Sequence, residues 1–258
     1  MSRWDPDAYL RFEQERTQPS RDLVARIELS RPNAIVDIGC GPGTSTRVLR
    51  EAWPEADVTG LDNSEDMIHK AQATYPAQKW VLADAARWQP DKAYDLVFAN
   101  ATLHWIPHHE QLLKRLFDAV KEGGVLAGQV PFNVESPLLK AVAGVSESPR
   151  WRELMRGSRE QIFYRDETYY YDILSTLSDR IDMWMTTYLH VMESQESLLE
   201  WHSSTGLKVY LDRIQDDAGK LQFKNEILEA CKADYPVRAS GKVLFPFKRI
   251  FFAVYKAT

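Results

Sequence analysis

Val36-Asp37-Ile38-Gly39-Cys40-Gly41-Pro42-Gly43 sets three glycines at alternate positions behind an apolar run. Ala34, Ile35, Val36 and Ile38 read as a buried parallel strand, and Thr44 to Trp53 reads as the helix that follows. A strand-to-helix loop without Cβ atoms lets the backbone lie against a ligand, with the unpaired amides of the helix start close by. The chemistry this points to is a nucleotide seat. A dinucleotide fingerprint requires glycine at the sixth place of GxGxxG, and counted from Gly39 that place is Thr44. Here the third glycine comes early, as GxGxG, and Asp37 stands two residues before the first. An ordinary glycine-rich turn accounts for the loop equally well when it is taken alone.

Further polar residues fall at strand ends. Asp62 closes a second apolar strand, Val58 to Leu61, 23 residues beyond Gly39, about where an acid hydrogen-bonds ribose in doubly wound folds. Asn63 or Ser64 then caps a helix whose apolar face is Met67, Ile68, Ala71 and Tyr75, ended by Pro76. Met67 reads either as core or as a contact to a base. Asp84, followed by Ala85, leaves a third strand, Trp80 to Ala83, as an acceptor for an exocyclic amine or as a turn residue. A fourth strand, Tyr94 to Ala99, opens into Asn100-Ala101-Thr102-Leu103-His104-Trp105, at the strand end where open α/β sheets place reacting groups. His104, His108 and His109 do not form a metal set, because no carboxylate or cysteine accompanies them at ligand spacing; paired histidines beside a helix start read as solvated.

The positioning elements follow in order. Tyr9, Leu10 and Phe12, then Arg16-Thr17-Gln18-Pro19 and the amphipathic Leu23, Val24, Ile27 and Leu29, predict two short helices beside the first strand. Tyr9 and Phe12 serve as core packing or as a flap, and Arg16 offers a fork to a carboxylate. A helix from Glu110 to Lys121, stopped by Gly123-Gly124, precedes a fifth strand, Val125 to Val130. That makes five parallel strands with four helical crossovers. Beyond Pro131 come a helical block over about 133–179, rich in Arg, Trp and Tyr, and an alternating sixth strand from Ile181 to Val191. A second helical block covers about 195–235, and Val243 to Tyr255 forms a seventh strand in which Pro246 marks a bulge or an edge. The expected architecture is one α/β domain over 1–258: a doubly wound seven-stranded sheet with two helical cap insertions.

Composition sets outer limits. A chain of 258 residues with 44% hydrophobic and 27% charged residues can bury a substantial core. No apolar run approaches bilayer length, and Met1-Ser2-Arg3-Trp4-Asp5 lacks the apolar centre of a signal peptide, so a cytoplasmic location is expected. Cys40 and Cys231 are too few for a disulfide framework and read as free thiols. A net charge of -5 argues against a general nucleic-acid binder, and neither a nucleic-acid nor a membrane partner is expected. Attraction of an anionic substrate has to be local.

Asp37 with the glycines as D-x-G-x-G-x-G, then Asp62, Asp84 and the Asn100 loop on successive strands, resembles the class I S-adenosylmethionine-dependent methyltransferases across nearly the whole chain. Arg3-Trp4-Asp5-Pro6, Tyr9-Leu10, Glu15-Arg16, Pro19, Phe98 to Trp105, Tyr170 to Leu174 and Thr186-Thr187-Tyr188 are similar to the trans-aconitate 2-methyltransferase family within that class. The resemblance implies a Rossmann-like fold, S-adenosylmethionine as cofactor without a metal, and methyl transfer to a carboxylate of a small tricarboxylic acid, trans-aconitate. The products would be its monomethyl ester and S-adenosylhomocysteine. It also implies cofactor contacts from Asp37, Gly39, Cys40, Gly41, Gly43, Asp62, Asn63, Met67, Asp84, Ala85 and Asn100. An acid at the strand end suits a ligand that carries an ammonium and a sulfonium.

A carboxylate nucleophile, with a pKa of about 4, is already ionised at neutral pH, so no catalytic base is required. Arginines have to hold the carboxylates that do not react; the candidates are Arg16, Arg165 and Arg249, with His104, Trp105, Tyr171 and Tyr188 as hydrogen-bonding or packing partners. Two other readings stay open: methylation of another small or carrier-bound carboxylic acid, and a non-catalytic S-adenosylmethionine-binding module. Thr44 sets a dehydrogenase behind both.

Overall fold

The computed structural model describes residues 11–258, so Arg3 to Pro6, Tyr9 and Leu10 lie outside the described residues. Apolar, branched segments form β1 (Ala34–Ile38), β2 (Asp57–Asp62), β3 (Lys79–Leu82), β4 (Tyr94–Asn100) and β5 (Val120–Pro131). Parallel ladders join β1 to β2 and β4, β2 to β3, and β4 to β5. All five residues of β1 are buried, as a strand covered on both faces requires. With β6 (Ile181–Met192) and β7 (Val243–Tyr255) the sheet runs β3-β2-β1-β4-β5-β7-β6, and β7 is antiparallel to both β5 and β6. The expected five parallel strands, sixth strand and final antiparallel strand are all observed, with β7 alone running against the others. The order reverses between β1 and β4, which opens a crevice at the carboxyl ends of those strands.

The chain divides into two compact units. Among the described residues, the first takes 11–131, Arg165–Thr186 and Arg249–Thr258. Its helices are α1 (Glu13–Arg26), α2 (Thr44–Ala52), α3 (Glu65–Thr74), α4 (His109–Asp118) and α6 (Glu167–Leu174). The second takes Phe132–Tyr164 and Thr187–Lys248, with α5 (Pro137–Ser146), α7 (Glu196–Ser203), α8 (Lys208–Leu211) and α9 (Asp217–Cys231). In the second unit α5 and α7 pack on α9, and Trp151 meets Phe223 edge-on at 5.1 Å while its Nε1 donates to Glu226 Oε2 at 2.6 Å. A groove of about 600 Å³ there is lined by Glu135, Lys140, Glu226 and Asp234, a balance that repels an anion. No helix among the described residues is long and apolar enough to cross a membrane.

Of the two helices expected before β1, the stretch with Tyr9 and Leu10 lies outside the described residues, and α1 runs through Pro19. Proline there forfeits one main-chain bond, and burial of Thr17, Pro19, Ser20 and Leu23 against neighbours offsets it. The β3-to-β4 connection, residues 83–93, is a loop closed by an Asp84–Arg87 turn, so only three of the four parallel crossovers are helical.

Gly123-Gly124 does not stop a helix. α4 ends at Asp118, and the two glycines lie inside β5, where the register jumps from Tyr94↔Val120 to Leu96↔Val125 and Gly123 has φ +72°. Pro246, expected at a bulge or an edge, precedes the Arg249–Tyr255 stretch that pairs with β5, so the β5 ladder does not reach it. Finally, the helical block expected over 133–179 divides after Tyr164. α6 belongs with the sheet because Tyr170, fully buried, stacks on Phe252 at 5.8 Å and on His109 at 5.7 Å.

Candidate functional site

The glycine loop is tied to the neighbouring strand. Gly39 and Cys40 amides both donate to the Leu61 carbonyl, at 2.7 and 2.9 Å, and the Gly41 amide donates to Asp62 Oδ2 at 2.9 Å. Asp62 Oδ1 accepts from the Ser64 amide at 2.8 Å, so one carboxylate fixes both the loop and the start of α3, which Ser64 caps. Burial raises the Asp62 carboxyl above its ordinary value against these bonds.

Two glycines of the loop do different work. At Gly39, φ +69°, a Cβ would overlap the Thr102 side chain, so this position lets the β1 and β4 loops touch. At Gly41, φ +55°, a Cβ would meet no protein atom within 4 Å, so the space beside its backbone is free for a ligand. Gly43 caps α2 in the left-handed region without a side-chain bond to the first-turn amides, which leaves that helix end suited to polar ligand atoms.

Asp37 is fully buried, and its Oδ2 accepts from Ser45 Oγ and Thr46 Oγ1, each at 2.6 Å. Oδ1 has no partner. Burial outweighs the two hydroxyls and pushes its carboxyl up to about 7, with a smaller contribution from the Asp62 charge. The structure thus places Asp37 beneath the loop, holding the start of α2. Cys40 is buried, and burial raises its thiol. Met67 and Ala85 are buried, Asn63 is exposed, and Asp84 is half-buried with Oδ1 accepting from the Ala86 amide at 2.8 Å.

A second cluster lies at the carboxyl ends of β4 and β5. Register pairs Asp37 with Phe98, Asn100 with Gln129, Gln129 with Phe251 and Pro131 with Arg249. Paired residues share a face and alternate residues return to it, so Asp37, Asn100, Gln129 and Arg249 all project from one side of the sheet. Arg249 is 4% exposed and its Nη1 donates to Gln129 Oε1 at 3.4 Å. His104 is buried beside Trp105, with ring centroids 4.9 Å apart. Burial first, then the charges of Arg249 and His109, push His104 down to about 3. His104 is therefore neutral at neutral pH, and the cation of this cluster is Arg249.

The other expected substrate residues stand on other elements. Arg16 is buried on α1, with its guanidinium 5.8 Å from the Phe12 ring, and α1 packs on α2 and β5. Tyr171 is 55% exposed on α6, and Arg165 stands over the Tyr169 ring at 5.1 Å. Tyr188 belongs to the second unit, where it stacks with His190 at 6.1 Å.

His109, expected in solvent, is 2% exposed: Nε2 lies 2.9 Å from the Leu103 carbonyl and Nδ1 3.2 Å from Tyr170 Oη. Aromatic cover from α6 draws it inside, whereas His108 stays exposed at φ 58°. Among the described residues no group of three or more His, Cys, Asp or Glu could hold a metal ion.

Sequence reasoning passed over Ser45, Thr46, Thr102 and Gln129. Ser45 and Thr46 had a legible signal, two hydroxyls in the first turn after the glycine loop. Thr102 and Gln129 matter through strand neighbours far away in the chain and had none.

The neutral state of His104 has a pH consequence. The folded imidazole sits at about 3 and an unfolded one at about 6.5, so below pH 6.5 the unfolded chain binds the extra proton. Its contribution to stability is complete above about pH 6.5 and falls with acidification toward 3, by at most about 1.4 kcal/mol per pH unit. Asp37 acts oppositely: its raised carboxyl takes a proton in the folded state as pH falls through about 7. His104→Gln should therefore lose less stability than the native protein between pH 6.5 and 4, as urea unfolding at several pH values will measure. Parallel pH profiles would contradict the buried neutral histidine.

The methyltransferase domain family matches residues 35–124, from β1 to the Gly123-Gly124 bulge. Trans-aconitate 2-methyltransferase of Variovorax paradoxus is 40% identical over 255 residues, 98% of each chain. Among solved structures, the YcgJ protein of Bacillus subtilis superposes with TM-score 0.60 at 14% identity, covering 93% of this chain and 99% of its own. A Haemonchus contortus phosphoethanolamine N-methyltransferase, solved with S-adenosylhomocysteine, superposes with TM-score 0.58 at 16% identity, covering 93% of this chain and 53% of its own. The two structures bear on the fold alone. With a relative of that identity aligned from end to end, and the glycine loop built on β1 as described, this chain belongs to the trans-aconitate 2-methyltransferase family of S-adenosylmethionine-dependent methyltransferases.

Proposed function

We propose that the protein transfers the methyl group of S-adenosylmethionine to one carboxylate of trans-aconitate, leaving a monomethyl ester and S-adenosylhomocysteine. The observation that carries the acceptor side is Arg249: a buried guanidinium beside a neutral histidine, on the sheet face that also bears Asp37 and Asn100. A guanidinium in such a place suits a polycarboxylate, because its planar fork holds one carboxylate in two bonds and so orients another. The 40% identity to a protein of that name supports the choice of acid.

The residues fit the cofactor. The open space at Gly41, the Asp62 carboxylate at the end of β2 and the α2 amides above Gly43 suit a nucleoside with a charged tail. Asp37, Gly39, Cys40, Gly41, Gly43, Asp62, Asn63, Met67, Asp84, Ala85 and Asn100 make up the proposed cofactor side, with Asp37 acting through Ser45 and Thr46 to shape the loop. When bound, S-adenosylmethionine supplies an electrophilic methyl on a sulfonium. The acceptor carboxylate needs no general base, since it is ionised at neutral pH. What remains for the protein is to align that oxygen roughly 3 Å from the methyl carbon and to strip its water. Arg249, His104 and Trp105 form the proposed acceptor side, and Arg16 and Tyr171 are further candidates on the sheet unit. The helical segments of the second unit are proposed as the part of the fold that adapts it to its acceptor.

The test is methyl transfer from labelled S-adenosylmethionine to trans-aconitate, cis-aconitate, citrate, isocitrate and a fatty acid. Base-labile label, the mark of an ester, should appear chiefly on trans-aconitate. Label chiefly on another acid would replace the substrate, and cofactor binding with no transfer to any acid would overturn the reading.

A further inference from the structure

Gln129 is fully buried in β5, between Asn100 of β4 and Phe251 of β7. Its neighbours along the strand, Leu126, Ala127 and Val130, are apolar and buried. A leucine would fit that pattern, so the amide needs an explanation. Its main-chain carbonyl accepts from the Ala101 amide at 2.9 Å and ties β5 to the loop that carries His104 and Trp105. Its side-chain Oε1 accepts from Arg249 Nη1 at 3.4 Å.

A guanidinium only donates, so the amide oxygen has to be the atom facing Arg249. Nε2, the other polar atom of that amide, is buried with no hydrogen-bond partner. A dry amide donor is costly unless something supplies an acceptor. We infer that Gln129 is a specificity-determining residue, whose Nε2 donates to the non-reacting carboxylate that Arg249 holds. This rests on the proposed acceptor side and adds a selection rule to it.

The choice of amide over acid has a physical reason. A glutamate at 129 would also bind Arg249, but it would neutralise the guanidinium and repel an incoming anion. Glutamine holds the guanidinium without placing a negative charge beside the ligand, while adding a donor of its own. Acceptors with a second carboxylate are therefore favoured over monocarboxylates, which leave the Gln129 Nε2 donor unmet.

The experiment compares the native enzyme with Gln129→Glu and Gln129→Met. The measurements are the KM for trans-aconitate, the affinity for S-adenosylmethionine and the unfolding temperature. Gln129→Glu should raise the KM for trans-aconitate roughly a hundredfold, with cofactor affinity changed by less than about threefold and the unfolding temperature kept or raised by the new ion pair. Gln129→Met, which removes the donor without adding charge, should raise that KM roughly tenfold.

A purely structural glutamine predicts the reverse: lower unfolding temperatures and an acceptor KM within about threefold of native. That result in both variants overturns the role of Gln129 and leaves the proposed function standing. If Gln129→Glu does not fold, Gln129→Met decides alone. A native enzyme that methylates none of the acids tested overturns both inferences together.

Discussion

Replacing Gly41 by leucine should abolish S-adenosylmethionine binding while the protein still folds. The position has φ +55°, where a side chain costs roughly 1–2 kcal/mol, which lowers the unfolding temperature by a few degrees in a chain of this size. No protein atom lies within 4 Å of where the Cβ would stand, so no packing clash adds to that cost. The leucine side chain would instead fill the space proposed for the cofactor, and a loss of at least a hundredfold in affinity, about 2.7 kcal/mol, is expected.

Gly39→Ala acts first on stability, because it puts one methyl group into Thr102 at φ +69° and should destabilise the protein by about 1–3 kcal/mol beyond that backbone strain. Calorimetric titration with the cofactor and a thermal melt on each variant separate the two effects. Unchanged cofactor affinity in Gly41→Leu would remove this loop from the cofactor site.

Replacing Arg249 by methionine should raise the KM for trans-aconitate by a hundredfold or more, and leave cofactor affinity nearly unchanged. Charge-assisted hydrogen bonds contribute roughly 1.5–3 kcal/mol each, and a bidentate pair supplies two. Methionine has comparable length and fills the same space with apolar atoms, and a thermal melt on the variant checks that it folds. Arg249 reaches its face from β7, separated by β4 and β5 from β1, which carries the glycine loop, and its loss should not disturb that loop. Steady-state kinetics with each substrate varied in turn are the check. Equal effects on acceptor and cofactor would take Arg249 out of the acceptor side.

The readings that survived and those that did not differ in how far apart the interacting residues lie in the chain. β1, the glycine loop and α2 are contiguous, and their apolar run, glycines and helical stretch predict the local structure directly. Asp62 was legible for a similar reason, since it ends a strand in register with β1. Gly123-Gly124 misled because a glycine pair after a helical pattern signals a stop, while the same backbone freedom serves a bulge once β5 has to match β4. Nothing near His109 in sequence covers it, so the sequence predicts a solvated ring; the cover is Tyr170, 61 residues on.

By itself, then, the sequence determined the run of five parallel strands, the glycine loop and its acids, and the family. Each of these depends on residue order within a strand–loop–helix unit, or on matching such units one after another. Tertiary structure decided that Asp37 holds Ser45 and Thr46 in a buried site that raises its carboxyl, that Gly41 rather than Gly39 borders open space, and that Gln129 meets Arg249. Those facts depend on strand register and on burial. Gln129 and Arg249 are 120 residues apart, and only the antiparallel pairing of β5 with β7 puts them on one face, because a slip of one residue would turn every side chain of the strand to the other side.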